Sequence, residues 1–252
     1  LNISETRIEN IDLSPCPKLE QLYCTHMSWF NSDIKLKNLD VTCCPDLLCL
    51  AANHNNLTSI DVSKCPKLTD IYLHYNHLTS IDLSNNESLV NVYLHNNDMD
   101  FSTLPIPGLT WTDFYLNQRP LVVPSAYLLG SQLNLASRVL REGEETYAAL
   151  LYEDEENPGM PVEVDESAYT YENGVITIHE LLPDSVYASF YNPLFPFSEL
   201  NTTKFKVKDA SEYDKPVLAA VVGNDLPVGT DVQLYVGLEN ATEDNQRTLL
   251  VD

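Results

Sequence analysis

The sequence is poor in basic residues, in glycine and in long apolar runs. Its 252 residues include 14 Lys and Arg against 37 Asp and Glu, so the formal net charge is −23. Such a chain repels phosphate backbones and anionic lipids, which makes nucleic acids and membranes poor partners. The longest aliphatic run, residues 217–222, is far too short to span a bilayer. The first residues, Leu1-Asn2-Ile3, have neither the basic start nor the apolar stretch of a signal peptide.

Signatures of common catalytic sites are also missing. The chain contains no G-x-x-x-x-G-K, G-x-G-x-x-G, H-E-x-x-H or G-x-S-x-G pattern, and it has only eight glycines. Because phosphate-binding loops need glycine for close backbone approach, a nucleotide site is disfavoured. We therefore expect that the chain is not an enzyme and uses no cofactor.

A short repeat fills the first half of the sequence. The pattern L-x-x-I-x-L-x-x-N-x-L that begins at Leu68 recurs 21 residues later at Leu89 and 21 residues earlier at Leu47. The spacing lengthens to 28 residues between Leu19 and Leu47, and a weaker copy at Trp111 follows Leu89 by 22 residues. This is the pattern of leucine-rich repeats, in which each unit buries little alone and stacked units share one continuous core.

The repeat length decides the architecture of residues 1–121. A 21-residue unit leaves no room for an α-helix beside its strand, so we predict a parallel β solenoid without regular helices on its convex side. Asn76 is expected to turn its amide onto backbone groups at the bend, because a buried amide needs such partners.

Alternation along each strand assigns side chains to two faces. Ile71 and Leu73 are predicted to point into the core, whereas Asp70, Tyr72 and His74 point outward on the concave face. The equivalent outward positions of other units contain mostly tyrosine, amide, acidic and histidine side chains, and His74 and His95 should lie about 5 Å apart by strand spacing. The candidate binding residues are Tyr23, Asp70, Tyr72, His74, Asn91, Tyr93, His95 and Tyr115.

Two interpretations of the tyrosines stay open at this point. Tyr23, Tyr72, Tyr93 and Tyr115 occupy one outward position of successive units, interrupted by Ala51. Cross-strand stacking of these rings could serve only to stabilise the sheet. Alternatively, a rigid face rich in tyrosine, amides and histidine binds a protein or glycan. The sequence favours neither interpretation over the other.

All six cysteines lie between Cys16 and Cys65. Cys16, Cys44 and Cys65 share one repeat position that Asn86 takes in the next unit, so the position needs no disulfide and we expect small buried hydrophobic residues there. Cys24 is expected to point inward, and Cys49, equivalent to Asp70, to be the more exposed thiol. Neither the adjacent Cys43 and Cys44 nor the pair His74 and His95 supplies the ligands of a metal site, so no metal is predicted.

The 21-residue rhythm stops near residue 121, and short strands separated by turns follow. Strands are predicted at residues 132–139, 146–152, 168–171, 175–179, 186–191 and 203–208. Asn173-Gly174 predicts a tight hairpin, and the acidic residues 153–156 are interpreted as a solvated hairpin tip. We expect an Ig-like β-sandwich over residues 122–208.

The remaining residues, 209–252, are interpreted as a linker and a partial β segment, with strands at 217–222, 231–236 and 248–251. This segment is too short for a domain of the same type and would begin a further one. The chain also starts within a repeat, so we expect a fragment of a longer protein.

The repeats resemble those of a known family. Residues 60–68 (IDVSKCPKL) and 78–86 (LTSIDLSNN) are similar to repeats of internalin-like bacterial leucine-rich-repeat surface proteins, especially those of gut anaerobes. In that family the repeats are often joined to an Ig-like domain, and residues 169–175 (YTYENGV) and 191–196 (YNPLFP) look like its hairpin and a late strand end. The resemblance implies export, surface display and adhesion or ligand capture, and it transfers no binding residue.

These observations lead to one main functional hypothesis and two alternatives. The first is a non-catalytic binding or adhesion module of an exported bacterial surface protein, acting as a monomer, which captures a neutral or basic protein or glycan on its concave face. The second is a structural spacer or accessory module of a larger exported enzyme. The third is an intracellular signalling scaffold, which the unpaired cysteines favour.

Overall fold

The computed structural model describes residues 1–6, 8–26, 35–153 and 159–209, together with the backbone of two later strands. The chain is mainly β. Within these residues, helix is confined to α1 (Ala136–Val139) and a single 3₁₀ turn, Glu166–Ala168. The strands of the repeats are β1 (Gln21–Tyr23), β2 (Cys49–Ala51), β3 (Asp70–Tyr72), β4 (Asn91–Tyr93) and β5 (Asp113–Tyr115). The later strands are β6 (Ala126–Leu128), β7 (Gln132–Asn134), β8 (Tyr147–Glu153), β9 (Pro161–Glu163), β10 (Tyr169–Glu172), β11 (Val175–Ile178), β12 (Val186–Tyr191), β13 (Glu199–Asn201), β14 (Lys206–Lys208), β15 (Val217–Ala219) and β16 (Tyr235–Gly237).

The repeats build one parallel five-stranded sheet in the order β1-β2-β3-β4-β5. Leu22, Leu50, Ile71, Val92 and Phe114 are successive partners in its register, so the units are 28, 21, 21 and 22 residues apart. These are the spacings read from the sequence, and the leucine-rich-repeat solenoid predicted from them is confirmed. No helix occurs in the part of the repeats that the structure describes.

The inward side chains of the sheet form the core of the solenoid. Leu50, Ile71 and Val92 at the strand centres are completely buried, as are Leu73 and Leu94, which follow the strands. Removing each such side chain from water contributes about 1.5–3 kcal/mol. The outward neighbours on β3 and β4 keep part of their surface exposed, as the predicted alternation requires, whereas Cys49 and Ala51 on β2 are buried.

A buried asparagine closes the bend after each central strand. Asn76 Nδ2 donates to the carbonyl oxygens of Ala52 and Leu73, each at 2.9 Å. Its Oδ1 accepts the N–H of Leu57 at 3.0 Å. One side chain thereby satisfies backbone groups of its own unit and of the preceding unit, as the sequence predicted.

Neighbouring units use the same device. The equivalent bonds are made by Asn55 and Asn97. In the last unit the bend is one residue shorter, and the longer Gln118 takes the role. Its Nε2 donates to the carbonyl oxygens of Leu94 at 3.0 Å and Leu116 at 2.6 Å, and its Oε1 accepts the Met99 N–H at 3.3 Å.

On the side of the repeats away from the strands, the chain forms tight turns that are stabilised by aspartate side chains. Asp12, Asp40, Asp61 and Asp82 each accept, through Oδ1, the N–H of the residue two positions on, at 2.9 Å. These bonds lower the pKa of all four carboxyl groups. Each bond stabilises a tight turn, which replaces regular secondary structure in these short units.

The cysteines are all free thiols. Cys65 Sγ–H donates to the Val41 carbonyl oxygen at 3.4 Å, and burial raises the pKa of Cys65 to about 11. Cys44 is also buried, with its pKa raised to about 12. These two residues therefore behave as the small core residues predicted at this position, whereas Cys16 and Cys43 are only half-buried.

The packing divides the chain into two compact units. The first consists of Leu1–Leu121, Ser137–Tyr147 and Phe190–Asn201. Its later segments pack around Phe101, whose ring stacks on Phe195 with centroids 5.2 Å apart. Arg138 Nε donates to Asp100 Oδ2 at 2.9 Å in the same region. The second unit consists of Val122–Ala136, Ala148–Ser189 and Thr202–Asp252. The domain boundaries inferred from the sequence stay predictions.

After residue 121 the strands form small sheets. Their orders are β10-β11-β7, β13-β12-β8-β9, β14-β6 and β15-β16. The predicted strand 186–191 is confirmed, whereas the strand predicted at 132–139 ends at Asn134 and is followed by helix α1. Strands β6, β9 and β13 were not predicted, because each has only three residues and lacks an extended alternating pattern. Residues 154–156 of the predicted acidic tip and the strand at 248–251 lie outside the described residues.

The Asn-Gly hairpin is confirmed. Glu172 and Val175 are the last paired residues of β10 and β11, so Asn173 and Gly174 form a two-residue loop. Their φ angles are 48° and 80°, as a type I′ turn requires. A Cβ on Gly174 would lie 2.4 Å from Ala136 Cα, so this position excludes a side chain for steric as well as conformational reasons.

The asparagine bonds should dominate the stability of the solenoid. Asn76→Ala leaves the Leu57 N–H without a partner, while the Ala52 and Leu73 carbonyl oxygens keep their bonds from Asn55 and Asn97. We therefore expect the free energy of unfolding to fall by about 2–3 kcal/mol. Asn85→Ala is the control, because Asn85 is exposed and belongs to the same repeat. Urea denaturation checks both variants. Equal stability of the two would show that these bonds contribute little.

The hairpin glycine allows a matched comparison. Gly130 has a similar φ of 85° but no atom within 4 Å of the added Cβ, so Gly130→Ala should cost only the conformational penalty, about 1–2 kcal/mol. Gly174→Ala adds the clash with Ala136 and should destabilise the second unit by about 2 kcal/mol more. Thermal denaturation of the two variants measures the difference. Similar melting temperatures would exclude the steric explanation.

Candidate functional site

The outward positions of β1 to β5 place the candidate residues on one face of the sheet, called here the strand face. Tyr72, Tyr93 and Tyr115 are register partners on adjacent strands. Tyr72 and Tyr93 are half-buried, and Tyr115 on the last strand is 55% exposed. Rings at one position of parallel strands must lie side by side, so the repeat itself positions them.

Three of the four predicted tyrosines form a continuous stack. The ring centroids of Tyr72 and Tyr93 are 5.1 Å apart, and those of Tyr93 and Tyr115 are 5.4 Å apart with planes inclined by 30°. We call Tyr72, Tyr93 and Tyr115 the tyrosine stack. Tyr23 is separate from the stack, because Ala51 occupies the position between it and Tyr72.

Tyr23 corrects one expectation about the cysteines. Cys49 was predicted to be the more exposed thiol, but it is only 8% exposed. Tyr23 and Cys49 share a hydrogen bond that raises the pKa of the tyrosine, and burial raises the pKa of Cys49. The tyrosine side chain therefore covers the thiol, an effect that the repeat position alone does not reveal.

Carboxylate and amide groups border the tyrosine stack on one flank. Asp70, Asn91 and Asp113 are register partners, and Asn91 Nδ2 donates to Asp70 Oδ1. The Tyr93 hydroxyl donates to Asp113 Oδ2, which raises the pKa of Tyr93 to about 12. The polar flank and the tyrosine stack are thus joined by hydrogen bonds, and their side chains are fixed before any ligand binds.

Histidines border the stack on the other flank. His74 and His95 stack with centroids 4.5 Å apart and planes inclined by 10°, close to the separation expected from the sequence. Burial, and then the nearby His95 and His54, lower the pKa of His74 to about 4. Burial, and then His54, lower the pKa of His95. The Nδ1 atoms of His74 and His95 are buried and have no hydrogen-bond partner. Both rings are therefore neutral at pH 7.

The structure adds two residues that the sequence analysis missed. His54 and Tyr75 follow their strands with φ angles of 60° and 56°, and their rings stack at 4.3 Å. The His54 ring also meets His74 edge-on at 5.5 Å, and Tyr75 is 43% exposed. The signal was present in the next unit, where Asn96 occupies the same position with a φ of 56°. Asparagine and histidine are enriched in left-handed conformations, so the column could have been recognised.

Two further features bear on the candidate chemistry. No group of three or more His, Cys, Asp or Glu side chains is arranged for a metal ion in the chain as far as the structure describes it. Among the same residues, no helix has the length and apolar character needed to cross a bilayer.

The strand face therefore belongs to a leucine-rich-repeat solenoid. Two solved structures to which this chain is similar are both from Listeria monocytogenes. The functional domain of InlJ from Listeria monocytogenes, which includes a cysteine ladder, is 18% identical with a TM-score of 0.49 over 82% of this chain. InlP from the same organism is 17% identical with a TM-score of 0.41 over 82% of this chain. The matched part spans 47% of the InlJ structure and 65% of InlP. No family model and no curated protein matches the sequence.

The stacked histidines predict an acid-sensitive solenoid. Because the folded-state pKa of His74 lies below its ordinary value, the unfolded chain binds more protons between about pH 4 and 6.5, and stability is lost as the pH falls through this window. His74→Asn/His95→Asn should remove about 1–2 kcal/mol of that loss, since the half-buried rings feel only part of the full effect. Asparagine is suitable because Asn53 and Asn117 occupy the same repeat position.

Denaturation at pH 7.5 and 4.5, compared between wild type and variant, measures this effect while the carboxylate contributions cancel. An NMR titration of the imidazoles tests the cause directly. His95→Asn alone should raise the pKa of His74, because it removes both cover and a neighbouring imidazole. A wild-type His74 that titrates near 6.5 would contradict this account.

Proposed function

We propose that this chain is a non-catalytic binding module and that the tyrosine stack on its strand face is the contact site for a partner protein. The observation that carries the proposal is the row of Tyr72, Tyr93 and Tyr115, which are in ring contact and still accessible. Tyrosine combines apolar area with a hydroxyl group and is enriched at the centres of protein interfaces.

The energetics of the stack support binding. Each ring is held by its neighbours, and Tyr93 is also held by its bond to Asp113. Side chains that are already ordered lose little further entropy when a partner binds, so more of the contact energy appears as affinity. Stabilisation of the sheet and binding are therefore compatible roles for the same rings.

The charge of the chain restricts the partner. The net charge of −23 and the carboxylates of Asp70 and Asp113 beside the stack favour a neutral or basic surface and disfavour nucleic acid. We propose further that the chain acts as a monomer in an exported, surface-displayed bacterial protein, as the resemblance of its repeats to internalin-like proteins implies.

Residues 122–208 are proposed to form an Ig-like sandwich. Supporting it within the second unit are the antiparallel sheet β10-β11-β7 and the antiparallel pairing of β8 with β9, which are typical of a small sandwich. In an adhesion protein such a segment would display the repeats.

The tyrosine stack can be tested by substitution once a partner is captured. A photo-crosslinking p-benzoylphenylalanine in place of Tyr115 should capture the partner from a panel of extracellular proteins, whereas the same group in place of Tyr147 should not. Tyr72→Ala and Tyr93→Ala should then each weaken binding by about 1–3 kcal/mol, as truncation of an interface anchor does. Surface plasmon resonance measures the change.

The chain contains a matched control for these variants. Tyr147 and Tyr191 also form a ring contact, at 6.5 Å, and are 52% and 44% exposed, but they lie outside the strand face. Tyr147→Ala/Tyr191→Ala should leave affinity unchanged, and circular dichroism should show all variants folded. Unchanged affinity of Tyr72→Ala/Tyr93→Ala would overturn the proposal and favour the spacer hypothesis. If the wild type binds a sugar on a glycan array and Tyr72→Ala/Tyr93→Ala does not, the ligand of the stack is a glycan.

A further inference from the structure

We propose that the strand face recognises arginine: the partner presents a segment whose guanidinium groups lie on the ends of the tyrosine stack, beside the carboxylates of Asp70 and Asp113. This inference rests on the proposed binding function and names the chemistry of the partner. Its basis is the combination of aromatic rings, fixed carboxylates and neutral histidines on one accessible sheet face.

The two carboxylates border the tyrosine stack. Asp70 and Asp113 lie on either side of Asn91 in the register of β3, β4 and β5. Both carboxylates act on the hydroxyl of Tyr72 and raise its pKa, after burial as the largest cause. Among the described residues, no Lys or Arg contributes to the pKa shifts of Tyr72 or Tyr93. The hydroxyl edge of the stack is therefore an anionic environment that a cation would neutralise.

Hydrogen bonds fix the orientation of these carboxylates. Asp70 accepts hydrogen bonds from Asn91 Nδ2 on one oxygen and from Thr69 Oγ1 on the other, the latter at 2.6 Å. Asp113 accepts the Tyr93 hydroxyl on Oδ2, and its side chain is exposed. A carboxylate oxygen has room for more than one hydrogen bond, so both groups remain able to accept from a ligand. Little ordering is needed when the ligand arrives.

The opposite flank of the stack is neutral. His74 and His95 would repel a cation if they were protonated, but their lowered pKa values keep them neutral at pH 7. After burial, the imidazole of His54 contributes to lowering both pKa values, and the pKa of His54 is itself shifted by burial and then by Lys35, Glu5 and His26. A cation on the tyrosine stack therefore meets carboxylates on one side and uncharged rings on the other.

Arginine fits these features better than other cations. The guanidinium group is planar and weakly hydrated, so it stacks on aromatic faces and donates to carboxylates in the same geometry. The rings of the stack cover one another at 5.1 and 5.4 Å, so the faces without a ring neighbour are at its two ends, on Tyr72 and Tyr115, which share their strands with Asp70 and Asp113. A lysine ammonium is strongly hydrated and does not stack, so it should bind more weakly.

Synthetic peptides test this inference without the natural partner. The probe is acetyl-(Gly-Arg)₃-Gly-amide, and its matched controls replace arginine by citrulline, which keeps the shape but has no charge, or by lysine. Isothermal titration at an ionic strength of about 0.15 M limits long-range attraction to about 8 Å. The arginine peptide should bind about tenfold more tightly than the citrulline peptide, and more tightly than the lysine peptide.

Variants locate the binding and separate it from general attraction to an acidic chain. Asp70→Asn/Asp113→Asn should weaken the arginine peptide about fivefold or more. Asp12→Asn/Asp82→Asn makes the same change in net charge at exposed turn residues off the strand face, and should have no effect beyond about twofold. An equal effect of both pairs would overturn the inference, because binding would then be non-specific.

The remaining outcomes distinguish this inference from the proposed function. If arginine and citrulline peptides bind equally but Tyr72→Ala/Tyr93→Ala weakens both, the binding face stands and the selectivity for arginine is wrong. If the arginine peptide binds wild type and Tyr72→Ala/Tyr93→Ala equally, the tyrosine stack is not its site and both proposals lose their support. If no peptide binds while a captured partner still depends on the two tyrosines, only the arginine inference fails.

Discussion

The buried side-chain amide at the bend after β2, β3 and β4 is the interaction on which the rest of the solenoid depends. A repeat of about 21 residues must reverse direction without a helix. Its bend therefore contains buried backbone groups that have no partner in secondary structure and that water cannot reach. Asn55, Asn76 and Asn97 satisfy these groups across two units at once. Each unit therefore sets the register of the next, and outward side chains from different units align in columns.

The columns of outward side chains stay aligned in units of different length, as long as the hydrogen bonds of the side-chain amide are kept. Gln118 preserves the bonds of its unit although the bend is shorter, because its extra methylene group covers the difference. The 28-residue unit that separates Leu22 from Leu50 leaves the register of β1 and β2 intact. A longer unit thus does not disturb the strand face, which explains why the face is regular while the sequence spacing is not.

Sequence spacing predicted the solenoid, its register and the outward position of the candidate residues. It could do so because the same pattern of buried positions recurs in every unit of the repeat. It could not predict that Tyr23 covers Cys49, since that depends on the direction of one side chain. It missed the His54 and Tyr75 rings because left-handed residues leave the strand pattern. After residue 121 no repeat reinforces the pattern, so three-residue strands such as β9 escaped notice and residues 136–139 were mistaken for a strand.

The two interpretations of the tyrosines are not alternatives once the geometry is known. Stacking between strands uses the sides of the rings that face neighbouring units, whereas a partner would approach from the concave side. The end of the stack shows the difference, because Tyr115 has a ring neighbour on one side only and is the most exposed of the three. The polar flank is ordered as well, because Tyr93 is bonded to Asp113 and Asp70 is held by Asn91 and Thr69. This ordering stabilises the sheet, and it would also reduce the entropy lost in the binding that we propose.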